Sequence, residues 1–335
     1  MRGALQVLNV LLGSSAVGAR AELAGQDEVI RVEFEEIARQ IIDSNNPHHG
    51  RAQLRRLERS RDDPRTPGDR QIGIHAQLSF EYLRLGDIAE ATRHLDLAFG
   101  MVRALGEEPG AVLHRLRAVV ELRRAEVANC IQQHHRDCCI FPLAGGGLHS
   151  EKLAASNVSE SLLKILEDAP GQLEAQWLLN ISEMALGQFP DSVPAAFRLP
   201  PEALESEGEI GRFVDVAPEL GLDALNLCGG ALADDFDNDG DLDIVTTSSD
   251  PNSHAIYYEN RGDGTFDDRS AAAGLEAQLG GLNCIGADYD NDGDVDLLIL
   301  RGAWMGDQGR IRNSLLRNEG RSESGGSIRF ADVTR

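Results

Sequence analysis

The sequence predicts a multidomain chain in which an all-α domain over residues 22–197 is followed by all-β propeller-type blades over residues 212–335. Three observations carry that reading. Apolar residues recur at three- and four-residue spacing through roughly the first two hundred positions, the period of helices with one buried face. Short apolar runs bounded by Gly, Asn and Asp clusters then take over, as in strands joined by tight turns. Within that second region, landmarks return 53 residues later in the same order.

In the helical part, turn-rich clusters such as Asp62-Asp63-Pro64 separate the periodic segments. Tyr82, Gly86, Ala91, Leu95 and Ala98 fall at the offsets of a tetratricopeptide unit, a helical hairpin with small residues where its helices approach closely. Weaker echoes follow: Leu162 to Pro170 resembles the end of a second helix B, and Trp177 to Gly187 a new helix A with its terminating glycine. Such a domain serves either as a scaffold or as a concave peptide-binding surface. At the N-terminus, Arg2 precedes a mostly apolar stretch from Ala4 to Val17, and Ala19-Arg20-Ala21 supplies small residues, so residues 1–21 read as a signal peptide or as an ordinary first helix.

A Pro-containing acidic stretch, residues 198–211, reads as the linker between domains: Leu199-Pro200-Pro201-Glu202 is followed by Glu205, Glu207 and Glu209. The repeats begin beyond it. Phe213-Val214-Asp215 leads to Gly221-Leu222, Phe266-Asp267-Asp268 leads to Gly274-Leu275, and Phe330-Ala331-Asp332 opens a third copy. Phe213 and Phe266 are 53 residues apart, as are Asp235 and Asp288, close to the roughly 40–50 residues of one propeller blade. Asn260 to Phe266 supplies glycines for a hairpin turn, and Asn318-Glu319-Gly320 stands at the corresponding place in the next copy. Two blades and the start of a third make an incomplete ring, since a propeller needs at least about four, so the chain reads as a fragment.

The chemistry-bearing motif is D-x-D-x-D-G-x-x-D, present twice. Asp235, Asp237, Asp239, Asp241 and Asp243 alternate around Gly240; Asp288, Asp290, Asp292, Asp294 and Asp296 do the same around Gly293. Five carboxylates within nine residues repel one another unless a hard cation sits among them, and all-oxygen ligands point to Ca²⁺, two sites in all. Positions one, three, five and nine would give side-chain oxygens and position seven a backbone carbonyl, leaving the Asp241 and Asp294 carboxylates toward solvent. An EF-hand is excluded, because position twelve is Thr246 or Ile299 instead of glutamate and strand-like residues follow.

The repeated loop resembles the FG-GAP or VCBS repeats of integrin α-subunit propellers and of cartilage acidic protein, over about residues 205–335. The arrangement of helical domain, Asp-rich repeats and Phe-x-Asp openings is similar to exported bacterial proteins of that family. The resemblance implies a calcium-stabilised module for adhesion or protein contacts, with another protein or a cell-surface component as partner, the metal holding blades together instead of doing chemistry. The calcium loops in turn point to an extracellular or periplasmic location, where free calcium is high enough to fill loops of modest affinity. Arg261-Gly262-Asp263 matches an adhesion tripeptide, but Gly and Asp are ordinary in the hairpin turn that the repeat already places there.

A formal net charge of -23 and a pI near 4.7 argue against nucleic-acid binding, which needs Lys and Arg against phosphates. The chain contains no run of twenty apolar residues that would span a bilayer. Outside the loops, Cys130, His134, His135, Cys138, Cys139 and His149 cluster around Gly145-Gly146-Gly147. Three readings stay open for them: a local disulfide from Cys130 to Cys139 or Cys138, free thiols in ordinary packing, or a zinc or copper site. The last would make the chain an exported metalloenzyme. The glycine run is not a phosphate loop, since no Gly-Lys-Ser/Thr follows it, and no Gly-x-Ser-x-Gly elbow occurs in the chain. Asn129-Cys130, Cys139-Ile140-Phe141-Pro142 and Gly147-Leu148-His149 resemble a signature of the family's helical domains.

Overall fold

The computed structural model describes residues 2–334 apart from 134, 136, 139, 206–207, 209–212, 225, 303–304, 306, 308 and 322–325; for residues 2–22 and 201 it describes the backbone alone. Two compact units result. One joins residues 1–51 to residues 216–335, and the other spans residues 52–215. The expected signal peptide, 1–21, falls where no side chain is described, and five residues of the expected linker, 206, 207 and 209–211, lie outside the described residues.

The helical unit runs α2 (Ala52–Asp62), α3 (Gly68–Arg84), α4 (Ile88–Ala104), α5 (Ala111–Glu126), α6 (Leu153–Asp168) and α7 (Leu173–Leu186), after α1 (Arg2–Asp43) of the other unit. The α3–α4 hairpin forms where the small-residue pattern places it. Gly86 turns the chain at φ +82°, a conformation that a side chain opposes, and Asp87 caps α4 by accepting from the Glu90 N–H at 3.1 Å. Ala91, Leu95 and Ala98 are fully buried, and Tyr82 packs against them. A second core gathers Val158, Leu162, Ile165 and Leu166 of α6 with Ala175 and Leu179 of α7, and Gly187 ends α7 in the left-handed conformation.

The β unit holds two four-stranded antiparallel meanders. The first is β1 (Ala231–Asp234), β2 (Asp243–Thr246), β3 (Ile256–Asn260) and β4 (Phe266–Asp268); the second is β5 (Asn283–Ala287), β6 (Asp296–Leu300), β7 (Ser314–Arg321) and β8 (Ile328–Asp332). Val245 pairs with Tyr257 in the first sheet and Leu297 with Leu316 in the second, and all four enter one shared core. A shift of 53 residues carries Val245 to Leu298, not to Leu297. Because side chains alternate along a strand, the two sheets therefore present opposite faces to their common core. The sheets approach so closely at Gly286 that an added Cβ would lie 2.6 Å from Leu232 Cδ2.

Helix α1 supplies the second layer of this unit. Ile30, Phe34, Ala38 and Ile41 form its buried stripe, and Ile30 and Phe34 pack on Ala277 and Leu279. The sequence pattern placed residues 22–51 with the helical domain; they lie instead in the unit of the strands. Helical periodicity marks which face is buried without naming what buries it. The first repeat landmark also differs from its copies: Phe330 is buried in the core, Phe266 is half-buried, and Phe213 is 97% exposed and outside any strand.

Candidate metal centres

Each Asp-rich loop is the hairpin connection between the first two strands of a sheet, bounded by the pairs Asp234–Asp243 and Ala287–Asp296. The two loops fold alike. Asn238 and Gly240 have φ of +60° and +96°, and Asn291 and Gly293 have +62° and +98°. These left-handed residues curl the chain so that its amides turn inward onto the first carboxylate: Asp239 N–H donates to Asp235 Oδ1 at 3.1 Å and Gly240 N–H to Asp235 Oδ2 at 3.0 Å. In the second loop Asp292 and Gly293 donate to Asp288 Oδ1 and Oδ2, both at 3.1 Å.

Curling brings carboxylates together. Oxygens of Asp235, Asp237 and Asp239 lie within 4.8 Å of one another, and so do oxygens of Asp288, Asp290 and Asp296. Among the described residues these are the two groups of three or more metal-ligating side chains. Asp243 lies outside the first trio: its carboxylate is fully buried, accepting from the Tyr257 hydroxyl and from the Asn260 N–H, both at 2.8 Å. Asp292 lies outside the second trio and accepts from the Asp294 N–H at 3.0 Å. Asp241 is exposed, and Asp294 accepts from the Asn238 amide of the other loop at 2.6 Å.

Burial dominates the electrostatics of the two loops. Burial pushes the Asp243 carboxyl up to about 6, against the lowering effect of its hydrogen bonds, and burial also raises Asp296 and Asp237. Neighbouring carboxylates add to the rise in each: Asp237 and Asp239 at Asp243, Asp239 at Asp237, and Asp290 and Asp292 at Asp296. Arg321 of β7 partly serves the first loop, pairing with Asp237 and, at 2.9 Å, with Glu259.

Asn260 and Asn318 hold the two sites identically, a role that the sequence pattern alone did not reveal. Each donates its main-chain N–H at 2.8 Å to the last aspartate of its loop, Asp243 or Asp296. Each side-chain amide donates to the carbonyl just before that aspartate, Leu242 or Val295, and each Oδ1 accepts from the glycine two residues on, Gly262 or Gly320. The signal was the recurrence of Asn-x-Gly in both copies. Asn318 reaches further, donating to Phe236 O inside the first loop at 2.8 Å. The Arg261-Gly262-Asp263 tripeptide forms the β3–β4 turn, with Asp263 Oδ1 accepting from Thr265 N–H and Oγ1.

The Cys/His segment follows α5 in the helical unit. His134 and Cys139 lie outside the described residues, so a Cys130–Cys139 pairing does too, while Cys138 is a free thiol. His149 Nε2 lies 3.9 Å from Cys130 Sγ; His135 instead packs over Gly146, where an added Cβ would meet its ring at 2.0 Å. The glycine run is thus a place of close approach.

No helix among the described residues is long and apolar enough to cross a membrane. Comparison with curated proteins gives no match. Residues 235–299, which begin on the first aspartate of one loop and run past the last of the other, match the FG-GAP-like repeat family.

Proposed function

We propose that the β unit is a calcium-stabilised, non-catalytic protein-interaction module, its sheets being two blades of a propeller. The observation that carries this reading is the duplicate trio of converging carboxylates inside a segment that matches the FG-GAP-like repeat. Asp235, Asp237 and Asp239 would hold one ion, and Asp288, Asp290 and Asp296 the other; the ion supplies charge neutralisation and ties a hairpin to its sheet. The front-to-back meeting of the two sheets supports the propeller reading, since radial repetition sets the same face of every blade against the opposite face of its neighbour.

In this reading the partner is a protein or cell-surface component met outside the cytosol, where calcium is plentiful. The helical unit contributes a scaffold or a second binding surface. Its polar groove of about 310 Å³, lined by Phe99, Arg103, His114, Arg117, Asn157 and Glu160, is suited to a peptide backbone and its charged side chains.

Thermal unfolding of the full chain in calcium and in chelator tests the metal reading. Calcium is expected to raise the β-unit transition, by RT ln(1 + [L]/Kd), and Asp237→Ala combined with Asp290→Ala to remove the rise. An unchanged transition in a chain with native circular dichroism would count against it.

A further inference from the structure

We propose that the β unit binds a second copy of this chain head-to-tail, the outer face of the second sheet in one copy packing on the outer face of the first sheet in the next. It rests on the propeller reading of the β unit, and the metal reading is scored separately by the calcium-dependent shift in unfolding.

The template is the contact already made between the two sheets. Residues paired directly across strands share a face, so Leu232, Val245 and Tyr257 form one row on the first sheet, and Gly286, Leu297 and Leu316 form one on the second. These rows meet in the shared core, with Gly286 against Leu232. Each row has a counterpart on the other sheet, turned away from that core by the alternation of side chains. Ile285, Leu298 and Leu315 repeat the first row, and Ala233, Ile244 and Tyr258 repeat the second. Both outer faces are apolar and reach solvent. Ile285 is 48% exposed, and Tyr289, at the position of the fully buried Phe236, is 43% exposed. On the first sheet Ala231 and Ala233 are exposed and Ile244 is half-buried. Contiguous apolar surface of this kind marks a place of association.

A second copy carries the matching half of each face, charge included. Glu259 of the first sheet pairs with Arg321 of the second at 2.9 Å. Counted from Asn260 and Asn318, Arg317 stands at the Glu259 position and Asp263 at the Arg321 position, so the signs are exchanged and the pair is preserved between copies. Arg321 also pairs with Asp237, whose counterpart is Asp290; Asp263 would there face a second carboxylate, so calcium favours the association. Where the sheets come closest, Ala233 replaces Gly286 and adds one methyl against the δ-methyl end of Ile285. Because the two faces differ, the contact is heterologous, and such contacts close into rings when the rotation permits. Closed propellers hold about four to eight blades, so two blades per copy give a ring of about two to four copies.

Sedimentation velocity of the full chain tests this, in calcium and roughly 0.15 M salt, which screens the repulsion of its -23 net charge beyond about 8 Å. A discrete species of about two to four copies is expected. Ala233→Glu and Ile285→Glu each alter one face at an exposed position, and each should reduce the mass to that of one chain, 36.3 kDa. Mixed in equal amounts, the two variants should give a species of twice that mass and nothing larger, because the unaltered face left on one fits the unaltered face left on the other. Should a variant lose its native near-ultraviolet circular dichroism, Ala231→Lys or Ala287→Lys, exposed on the same two faces, takes its place. An unaltered chain that sediments as single copies at every concentration, an oligomer that survives either variant, or a mixture that stays at the mass of one chain would overturn the proposal.

Discussion

The Tyr257 hydroxyl donates to Asp243 Oδ2 at 2.8 Å inside a core where neither side chain is exposed. Tyr257 also meets Phe236 and Phe330 edge-on, with ring centroids 6.1 and 6.4 Å away, so one residue joins the loop's last carboxylate to the packing of both sheets. Tyr257→Phe keeps the ring and removes only the donor. It should cost about 1–3 kcal/mol, the penalty for a buried acceptor left unsatisfied, read as a lower midpoint in urea unfolding with unchanged slope. A shift within error would mean that Asp243 finds another donor.

Asn238 and Asn291 occupy position four of their loops with φ of +60° and +62°. Asparagine tolerates this region and glycine enters it freely, but a β-branched residue does not. Asn291→Gly should therefore leave stability within about 0.5 kcal/mol, and Asn291→Val should lower it by roughly 1–2 kcal/mol. Chemical unfolding in chelator separates this backbone effect from any loss of metal, and equal costs for the two variants would refute it.

Much of this architecture was legible in the chain. Periodicity marked α3, α4, α6 and α7 and the strands, and the 53-residue spacing located both loops, because each is a local property of sequence. Non-local relations were not legible. The alternation along β2 and β6 could not tell that Asp243 would turn into the core to meet Tyr257, nor could the stripe on α1 tell that Phe34 would pack on Leu279. Asn318 reaching Phe236 O spans 82 positions and leaves no spacing signature in a single sequence.

Helix α1 is anchored through Arg301, whose guanidinium lies 4.3 Å from the Phe34 ring and donates to Leu279 O, Ser314 Oγ and Gln278 Oε1 at 2.8, 2.8 and 2.9 Å. Burial lowers its pKa to about 9, a measure of how far it is withdrawn from water. Arg301→Met retains much of the stem while leaving those acceptors unmatched, and should destabilise the β unit by about 3 kcal/mol. Phe34→Ala should cost a similar 3–5 kcal/mol by opening a cavity. Hydrogen exchange should show the loss in residues 277–316 as well as in α1. Protection lost from α1 alone would show that the strands stand without it.

His75 and His94 form a buried pair in the helical unit, their Nδ1 atoms 2.7 Å apart. Arg93 lies 2.9 Å from His94 Nε2 and can only donate, so His94 carries its proton on Nδ1 and gives it to His75 Nδ1. His75 then carries its own proton on Nε2, and two protonated rings could not make this contact. Burial, helped by Arg93, His75 and Arg61 and opposed by Glu90, lowers His94 from 6.5 to about 4, and burial lowers His75 as well. A depressed histidine favours the unfolded chain as pH falls, because the unfolded chain takes up the proton first. Stability from His94 is thus complete above about pH 7, falls between 6.5 and 4, and levels off below; at pH 5 the loss is about 2 kcal/mol. Unfolding of the helical unit, followed by circular dichroism at pH 7 and pH 5, should show that loss in the unaltered chain. The double variant His75→Phe with His94→Phe, which keeps a ring at 94 to stack on Tyr82 and carries no titrating group at either position, should show a much smaller one. An equal loss in both would assign the acid sensitivity to other groups.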